Sequence, residues 1–373
     1  ALDLIRHPEI SPEATVGRLR LGLRQIVEIA RALAEKARVL IMDEPTSSLS
    51  REDTEGLFRV IGRLSAEGVS IVYISHFLEE VRRAARTLTV LRDGRVAFSG
   101  PIGGLEAEDL VRLMVGREVK EAFPRGDRIP GEVVLRVRGL QSRRMAAPVD
   151  LILRRGEILG LAGLIGAGRT ETLRAVFGLD RRMRGGLETG GLVKLRGGPR
   201  MMIRRGIGCL SEDRQTEGLA LNRSVTDNLT LSRLEPYVRC GILRLRARRR
   251  AAEEWAERMN IRAHSVEMPV ESLSGGNQQK VALARLLHQE ADILLLDEPT
   301  RGIDIVSKTQ IYEWMNRLAA SGKSVIFVSS SFPELIGVCD RIAVFHRGRV
   351  VEERPVSGWD EQNLTACAAV GRA

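Results

Sequence analysis

Leu273-Ser274-Gly275-Gly276-Asn277-Gln278-Gln279-Lys280 opens a predicted helix that runs from Gln278 to His288, and the apolar run 292–298 follows it. Adjacent glycines at a helix start leave backbone N–H groups unpaired, which suits an anion and above all a phosphate. The apolar run Asp292-Ile-Leu-Leu-Leu-Asp-Glu298 predicts a buried parallel strand whose terminal carboxylates suit a metal ion and a water molecule. Together the two stretches predict an α/β fold built for phosphate chemistry.

Length and composition fit a protein with ordinary hydrophobic cores. The chain has 373 residues, which is room for two domains, and 43% of them are hydrophobic. No stretch approaches the roughly 18–20 uninterrupted apolar residues of a membrane helix, and the first residues lack the features of a secretory signal. The four cysteines show no CxxC or Cys/His spacing, so we expect a reducing, cytoplasmic compartment and no metal cluster.

The chain is basic, with a formal net charge of +10. Such a charge suits nucleic acid or an anionic membrane, but arginines spread over solvated helix faces produce it too. The one dense run, residues 244–250, leads into an acidic stretch and predicts an exposed helix with opposite charges as neighbours. Aromatic residues make up only 4% of the chain, which weakens binding by base stacking. We therefore expect no nucleic-acid partner.

An internal repeat organises the chain. Residues 25–96 align without a gap on 279–350, at a constant offset of 254 (279 minus 25), and Asp-Glu-Pro-Thr occurs in both copies. A repeat of this length predicts a duplicated domain.

The repeat also predicts the domain limits. We expect residues 1–115 to be the C-terminal part of a first domain, 116–130 a linker, 131–358 a second domain and 359–373 a weakly ordered tail. The second domain opens with an alternating pattern after Gly131 that predicts an edge strand. Subtracting 254 from 163 gives −91, so the first copy's glycine loop would precede Ala1, and we expect the first domain to be incomplete.

The loop Gly163-x-x-x-x-Gly168-Arg169-Thr170 fits the phosphate-cradling pattern, except that an arginine replaces the usual lysine. Glycines let backbone N–H groups close on phosphates, and the Thr170 hydroxyl can reach Mg²⁺. An ordinary glycine-rich turn is the alternative. Because a planar guanidinium does not substitute cleanly for a lysine point charge, the loop predicts nucleotide binding with slow hydrolysis.

Each copy ends an apolar strand with an Asp-Glu pair. We expect Asp43 and Asp297 to hold Mg²⁺, and Glu44 and Glu298 to act as general bases toward the attacking water. The alternative, an acidic helix cap, explains less well why the pair occurs twice.

The two copies have diverged at two positions. His76 ends a strand of the first copy, where it could hydrogen-bond a γ-phosphate or be purely structural, and its counterpart in the second copy is Ser330. Conversely, Arg20 of the first copy stands where the second has Ser274. Each copy thus keeps what the other lacks.

These motifs resemble those of the duplicated ATPase subunit of bacterial ABC sugar importers of the ribose/galactose/xylose type. The resemblance covers residues 273–280 as the signature, 297–304 as Walker B plus D-loop and 163–171 as a Walker A loop with arginine. Glu212 stands where single-copy relatives have the Q-loop glutamine. The resemblance implies tandem P-loop NTPase domains, each with a RecA-like core and a helical subdomain.

The resemblance implies ATP and Mg²⁺ as ligands and assigns roles residue by residue. Catalytic roles fall on Glu44, His76 and Glu298, and magnesium ligation on Thr170, Asp43 and Asp297. ATP contacts fall on Gly163, Gly166, Ala167, Gly168, Arg169, Thr170, Glu171, Glu212, Ser274, Gly275, Gly276 and Gln278.

The implied function is to energise monosaccharide import. The implied partners are membrane permease subunits and, through them, a periplasmic sugar-binding protein, with a possible dimer of tandem subunits. The implied location is the inner face of the plasma membrane, as a peripheral cytoplasmic protein. Two alternatives remain open: a soluble ABC ATPase that acts on nucleic acid or the ribosome, and a catalytically silent remnant.

Overall fold

A computed structural model describes residues 10–19, 21–34, 37–46, 49, 51–75, 78–92, 94–105, 107–115, 126, 128–190 and 197–371. The chain divides into two compact units, Ala1–Val119 and Lys120–Ala373. Within the described residues, every helix is too short or too polar to cross a membrane.

The first unit pairs strand β1 with β2 in parallel and β3 with β4 antiparallel. A small core containing Ile26, Leu57 and Ile61 joins its helices to β1. In chain order its elements are α1 (Leu21–Ala34), β1 (Val39–Asp43), α2 (Arg51–Ala66), β2 (Ser70–Ile74), α3 (Leu78–Ala84), β3 (Thr87–Arg92), β4 (Arg95–Pro101) and α4 (Ala107–Val115).

The second unit begins with two antiparallel strands, after which strands and helices mostly alternate. Its elements up to residue 243 are β5 (Val133–Ser142), β6 (Val149–Arg154), β7 (Ile158–Gly163), α5 (Arg169–Phe177), β8 (Arg182–Thr189), α6 (Pro199–Arg204), β9 (Ile207–Leu210), a π-helical turn (Arg214–Gly218), α7 (Val225–Thr230), β10 (Val238–Arg239) and β11 (Ile242–Leu243). The remaining elements are α8 (Leu245–Arg258), α9 (Gly275–His288), β12 (Ile293–Asp297), α10 (Ile305–Ala320), β13 (Ser324–Val328), α11 (Phe332–Val338), β14 (Arg341–His346), β15 (Arg349–Pro355) and α12 (Glu361–Val370).

A six-stranded sheet of order β15-β14-β7-β13-β12-β9 forms the centre of this unit. All its pairings are parallel except β14–β15. Strands β7, β12 and β13 are buried at every residue, as expected for parallel strands covered on both faces. The sheet therefore confirms the α/β fold and brings the ends of β7 and β12 to one edge.

A three-stranded antiparallel sheet of order β6-β5-β8 stands beside the central one. Strand β5 lies in its middle, so the prediction of an edge strand after Gly131 is wrong. Alternating burial along β5 arises because one face of this small sheet packs on the core, while β6 and β8 pair with both of its edges.

A helical subdomain packs on the other side of the core. Val225, Leu229, Ala252 and Val270 are buried in one cluster with the apolar residues of α9. The residues between Glu212 and Val270 thus carry the helix that follows Ser274, as the sequence predicts.

The arginine run 244–250 forms the start of α8, with neighbours of opposite charge. Arg249 pairs with Glu253 at 3.0 Å and Arg250 with Glu254 at 3.4 Å, while Arg248 turns inward to Asp227 at 2.7 Å. Much of the charge in this run is therefore compensated within the helical subdomain.

The repeat extends to the secondary structure of the two units. Adding 254 to the bounds of α1, β1, α2, β2 and α3 gives the bounds of α9, β12, α10, β13 and α11. Internal contacts repeat as well: Thr46 donates to Glu80 at 2.8 Å, and Thr300 donates to Glu334 at 2.7 Å. Two stretches of different sequence therefore adopt one local structure.

Burial differs sharply between the repeated strands. Val39 and Ile41 of β1 are 56% and 66% exposed, whereas their counterparts Ile293 and Leu295 are 4% and 0% exposed. In the second unit these side chains pack with the apolar residues of β5, β7 and α5, and the described residues of the first unit provide no equivalent cover.

The predicted linker is described only at residue 126 and from 128 onward, and there it docks on the second unit. The Arg128 side chain is 3% exposed and binds Asp340 Oδ1 at 3.1 Å, with a second bond to the Val338 carbonyl at 3.0 Å. Asn316 also accepts from this guanidinium.

The C-terminal segment differs from its expected weak order. Residues 361–370 form α12, which begins with an Asp360–Asn363 capping box and buries Leu364 and Cys367 completely. The prediction of a weakly ordered tail is wrong because even the few large apolar residues after Gly358 are enough to bury one face of a capped helix.

Candidate functional site

The phosphate loop connects buried strand β7 to helix α5. Gly168 caps the helix with φ 100°, and a Cβ there would lie 3.0 Å from Gly348 Cα. Only glycine accepts both the left-handed conformation and the close approach. The turn from β7 into α5 therefore requires glycine at position 168.

A cavity of about 330 Å³ opens above this loop. It unites predicted site residues 166–171 with Glu212 and Glu298, which come from three separate segments. Its lining is Ile165, Gly166, Ala167, Gly168, Arg169, Thr170, Glu171, Glu212, Glu298, Arg301 and Ser330. Sequence reasoning did not select Arg301, although it follows directly after the second Asp-Glu-Pro-Thr.

Arg169 is buried beneath the loop. Its Nη1 donates to the Ser329 carbonyl at 2.8 Å and its Nη2 lies 3.9 Å from Glu298 Oε1. Burial lowers the pKa of Arg169, while the neighbouring charge of Glu298 opposes that shift. The guanidinium is therefore held by protein groups on the floor of the cavity.

Glu298 does not belong to the strand, contrary to the expectation from the sequence. Strand β12 ends at Asp297, and Glu298 has φ 46° while its N–H donates to the Val328 carbonyl at 3.0 Å. Its Oε2 accepts from Ser330 Oγ at 3.2 Å. Burial raises the pKa of Glu298, and the bonds to Ser330 and the charge of Arg169 oppose the rise.

Asp297 has a geometry that fits a magnesium ligand. Burial raises its pKa to about 6, against a hydrogen bond from the Thr170 side chain. Its Oδ1 is buried and has no hydrogen-bond partner in the described part of the chain. Among the described residues, no group of three or more His, Cys, Asp or Glu side chains is arranged so that it could hold a metal ion. Thr170 and Asp297 would therefore hold Mg²⁺ only together with oxygens of a ligand such as phosphate.

Helix α9 begins at Gly275, three residues before its predicted start (278 minus 275), with Ser274 as the residue before it. A Cβ on Gly275 would lie 2.8 Å from Arg214 Nη2, and one on Gly276 would lie 2.5 Å from Ser307 Oγ. The glycine pair thus permits close packing of the helix start against Arg214 and Ser307.

Gln278 turns inward from this helix start. Its Nε2 donates to the Leu273 carbonyl at 3.0 Å and to the Val270 carbonyl at 3.3 Å. None of the predicted nucleotide contacts from 274 to 278 lines the cavity above the phosphate loop. Their contact with a nucleotide stays a prediction.

The first unit repeats the strand end of the second. Glu44 has φ 45° and its N–H donates to the Ile74 carbonyl at 2.8 Å, as Glu298 does to Val328. Asp43 ends β1 as Asp297 ends β12. His76 lies outside the described residues, as does Arg20.

Comparison with known proteins gives close sequence relatives. A family model described as ABC transporter matches residues 146–301. A ribose import ATP-binding protein of Rubrobacter xylanophilus is 45% identical over 97% of this chain and 72% of its own length. A ribose import ATP-binding protein of Chromobacterium violaceum is 41% identical over 99% of this chain and 74% of its own. A putative ribose/galactose/methyl galactoside import ATP-binding protein of Burkholderia cenocepacia is 48% identical over 91% and 67%.

Solved structures agree with the fold. A nucleotide-free ATP-binding cassette from an ABC transporter matches with a TM-score of 0.54 at 16% identity, over 64% of this chain and 97% of the other. A cassette dimer bound to ADP and Pi matches with a TM-score of 0.53 at 23% identity, over 61% and 100%. The chain therefore belongs to the ABC transporter family, in the group of sugar-import ATP-binding proteins that its relatives represent.

Proposed function

We propose that this chain is the ATP-binding and ATP-hydrolysing subunit that energises monosaccharide import through an ABC transporter. The names of the relatives support sugar as the imported substrate, and the cavity above residues 166–171 supports the binding of a nucleotide. The proposed partners are membrane permease subunits and, through them, a periplasmic sugar-binding protein. The chain would act at the inner face of the plasma membrane, as one half of a dimer of tandem subunits.

ATP would bind in the second unit with its phosphates on the backbone N–H groups of the loop from Gly163 to Gly168. Thr170 and Asp297 would hold Mg²⁺, which neutralises charge on the phosphate oxygens when bound. The unpartnered Asp297 Oδ1 supports this role. Glu171 and Glu212 line the same cavity and would limit how many anionic groups it accepts.

The pair formed by Arg169 and Glu298 carries the proposal that hydrolysis at this site is slow. A general base must turn a free carboxylate oxygen toward the attacking water. Here Oε1 faces the Arg169 guanidinium at 3.9 Å and Oε2 accepts from Ser330 at 3.2 Å. Arg169 also donates a hydrogen bond to the Ser329 carbonyl. Both groups that would act on the γ-phosphate and the water are thus engaged with protein.

The first copy would supply catalytic residues of a second nucleotide site. In the family that this chain resembles, the signature of one half completes the nucleotide site of the other. In this chain Ser274, Gly275 and Gly276 match that signature. By the same resemblance Glu44 and His76 would be the catalytic residues of the first copy, with Asp43 as its magnesium ligand. The sequence difference between His76 and Ser330 supports this division of labour.

The test is ATP binding and Mg-ATP turnover by the purified chain beside three variants. We expect nucleotide to bind, Thr170→Val to weaken Mg-dependent binding, and Glu298→Gln to leave a low turnover unchanged. Arg169→Lys should raise turnover, because a lysine cannot hold both Ser329 and Glu298. Rapid turnover that Glu298→Gln abolishes would contradict the slow-site proposal, and absence of nucleotide binding would contradict the whole.

A further inference from the structure

Arg214 lies between the nucleotide cavity and the start of α9. It opens the π-helical turn Arg214–Gly218, and its guanidinium donates to the carbonyls of Arg301 at 3.4 Å and Gly302 at 3.3 Å. The same Nη2 atom would lie only 2.8 Å from a Cβ atom placed on Gly275. One side chain therefore touches the loop after Glu298 and the first residue of the signature helix.

The environment of Arg214 is unfavourable for a cation. Burial lowers its pKa, and carbonyl oxygens rather than a carboxylate accept its hydrogen bonds in the described part of the chain. A positive charge beside a helix N-terminus also opposes the helix dipole. With weak, long hydrogen bonds as its restraints, the guanidinium responds readily to movement of the Arg301–Gly302 backbone.

The Arg301–Gly302 segment also contacts the cavity, through the Arg301 side chain. Arg301 forms an ion pair with Glu212, and both residues line the cavity above the phosphate loop. Phosphate oxygens that enter the cavity compete with Glu212 for the Arg301 guanidinium, because both are anionic partners. Movement of Arg301 then changes the two carbonyls to which Arg214 is bound.

We infer that Arg214 is a positioning residue that couples nucleotide occupancy of the second unit's cavity to the phosphate-binding start of α9. The inference rests on the proposed nucleotide site. The path runs from Glu212 and Arg301 through the carbonyls of residues 301 and 302 to Arg214 and Gly275. Because Gly275 has no side chain, a shift of the guanidinium acts directly on the backbone of the helix start.

The test measures backbone amide exchange in peptide 273–280 of the full chain, with and without a non-hydrolysable ATP analogue and Mg²⁺. In the wild type the analogue should change exchange there about fivefold or more, the lower range of ordinary coupling between sites. Arg214→Ala should bind the analogue within about twofold of wild type and lose that change. Arg214→Lys should keep part of it, since lysine retains the charge but offers a single nitrogen where Arg214 uses two.

Arg246→Ala is the matched control. Arg246 is an exposed arginine of α8 outside the cavity lining, and its variant should respond as the wild type does. A wild type that binds the analogue without a change in peptide 273–280 overturns the inference and leaves the proposed function intact. So does an Arg214→Ala chain that keeps the change, or one that fails to bind the analogue while Arg214→Lys binds normally. A wild type that binds no analogue refutes the proposed site itself.

Discussion

Replacing Arg169 by methionine tests whether its guanidinium is committed to Glu298. The two side chains are 8% and 7% exposed, so the change leaves a buried carboxylate without its cation. Removal of one partner from a buried ion pair costs about 3–5 kcal/mol. The separation of 3.9 Å is long for such a pair, which places the expected loss at the lower end, about 3 kcal/mol.

The three tryptophans of the chain make the measurement specific to the second unit. Trp255, Trp314 and Trp359 all lie in the second unit, so their fluorescence during urea unfolding reports that unit alone. Arg169→Met should move the midpoint to lower urea. The same experiment on Glu298→Gln and on the double variant completes a double-mutant cycle, in which the coupling energy should exceed about 1 kcal/mol.

The refuting result is additivity. If the losses of the two single variants sum to that of the double variant within about 0.5 kcal/mol, the two charges do not interact. Arg169 would then be free to reach a phosphate, and the Arg169–Glu298 pair would no longer explain slow hydrolysis.

Asp297→Asn removes a carboxylate whose pKa burial raises from 3.8 to about 6. The cost of burying its charge is complete above that pH and disappears as the pH falls toward 3.8. The variant should therefore exceed the wild type by up to about 3 kcal/mol in unfolding free energy at pH 8 and by little near pH 4, and a gain independent of pH would contradict this. Gly276→Ala should cost about 1–3 kcal/mol through its clash with Ser307, and Ser307→Ala should recover part of the loss in the same urea titration. Of the four cysteines in the chain, Cys240 is exposed, so a thiol reagent should modify it rapidly in the native protein. Cys339 and Cys367 are completely buried, so these thiols should react only after denaturation, as mass mapping of the labelled peptides would show.

Most of the fold prediction came from patterns that are visible along the chain. The repeat at offset 254 and the apolar run of β12 depend on residue type along the chain, which the sequence displays directly. The α/β class followed from them correctly, and the same patterns led to the site prediction at residues 166–171, which line the cavity. These features are local, and their physical basis, a buried strand that feeds a glycine loop, needs no knowledge of distant contacts.

Features set by distant contacts escaped prediction. Glu298 has a left-handed backbone because its N–H is bound by Val328, a residue thirty positions away (328 minus 298). The inward turn of Arg169 depends on Ser329, and the start of α9 depends on space left by Arg214 and Ser307. The sequence shows the residue types but gives no sign of the partner that each will meet.

The docking of Arg128 has a practical consequence for fragments of this protein. A separately expressed second unit that starts at Gly131, the predicted domain limit, would lack the Arg128 guanidinium that covers Asp340, whose side chain is 11% exposed. The same carboxylate accepts from the Ile158 N–H at 2.8 Å, at the first residue of the strand that leads to the phosphate loop. A fragment cut at the predicted domain limit would thus weaken the anchor of the strand that leads to its proposed nucleotide site. A fragment that begins at or before residue 126 keeps this strand anchored.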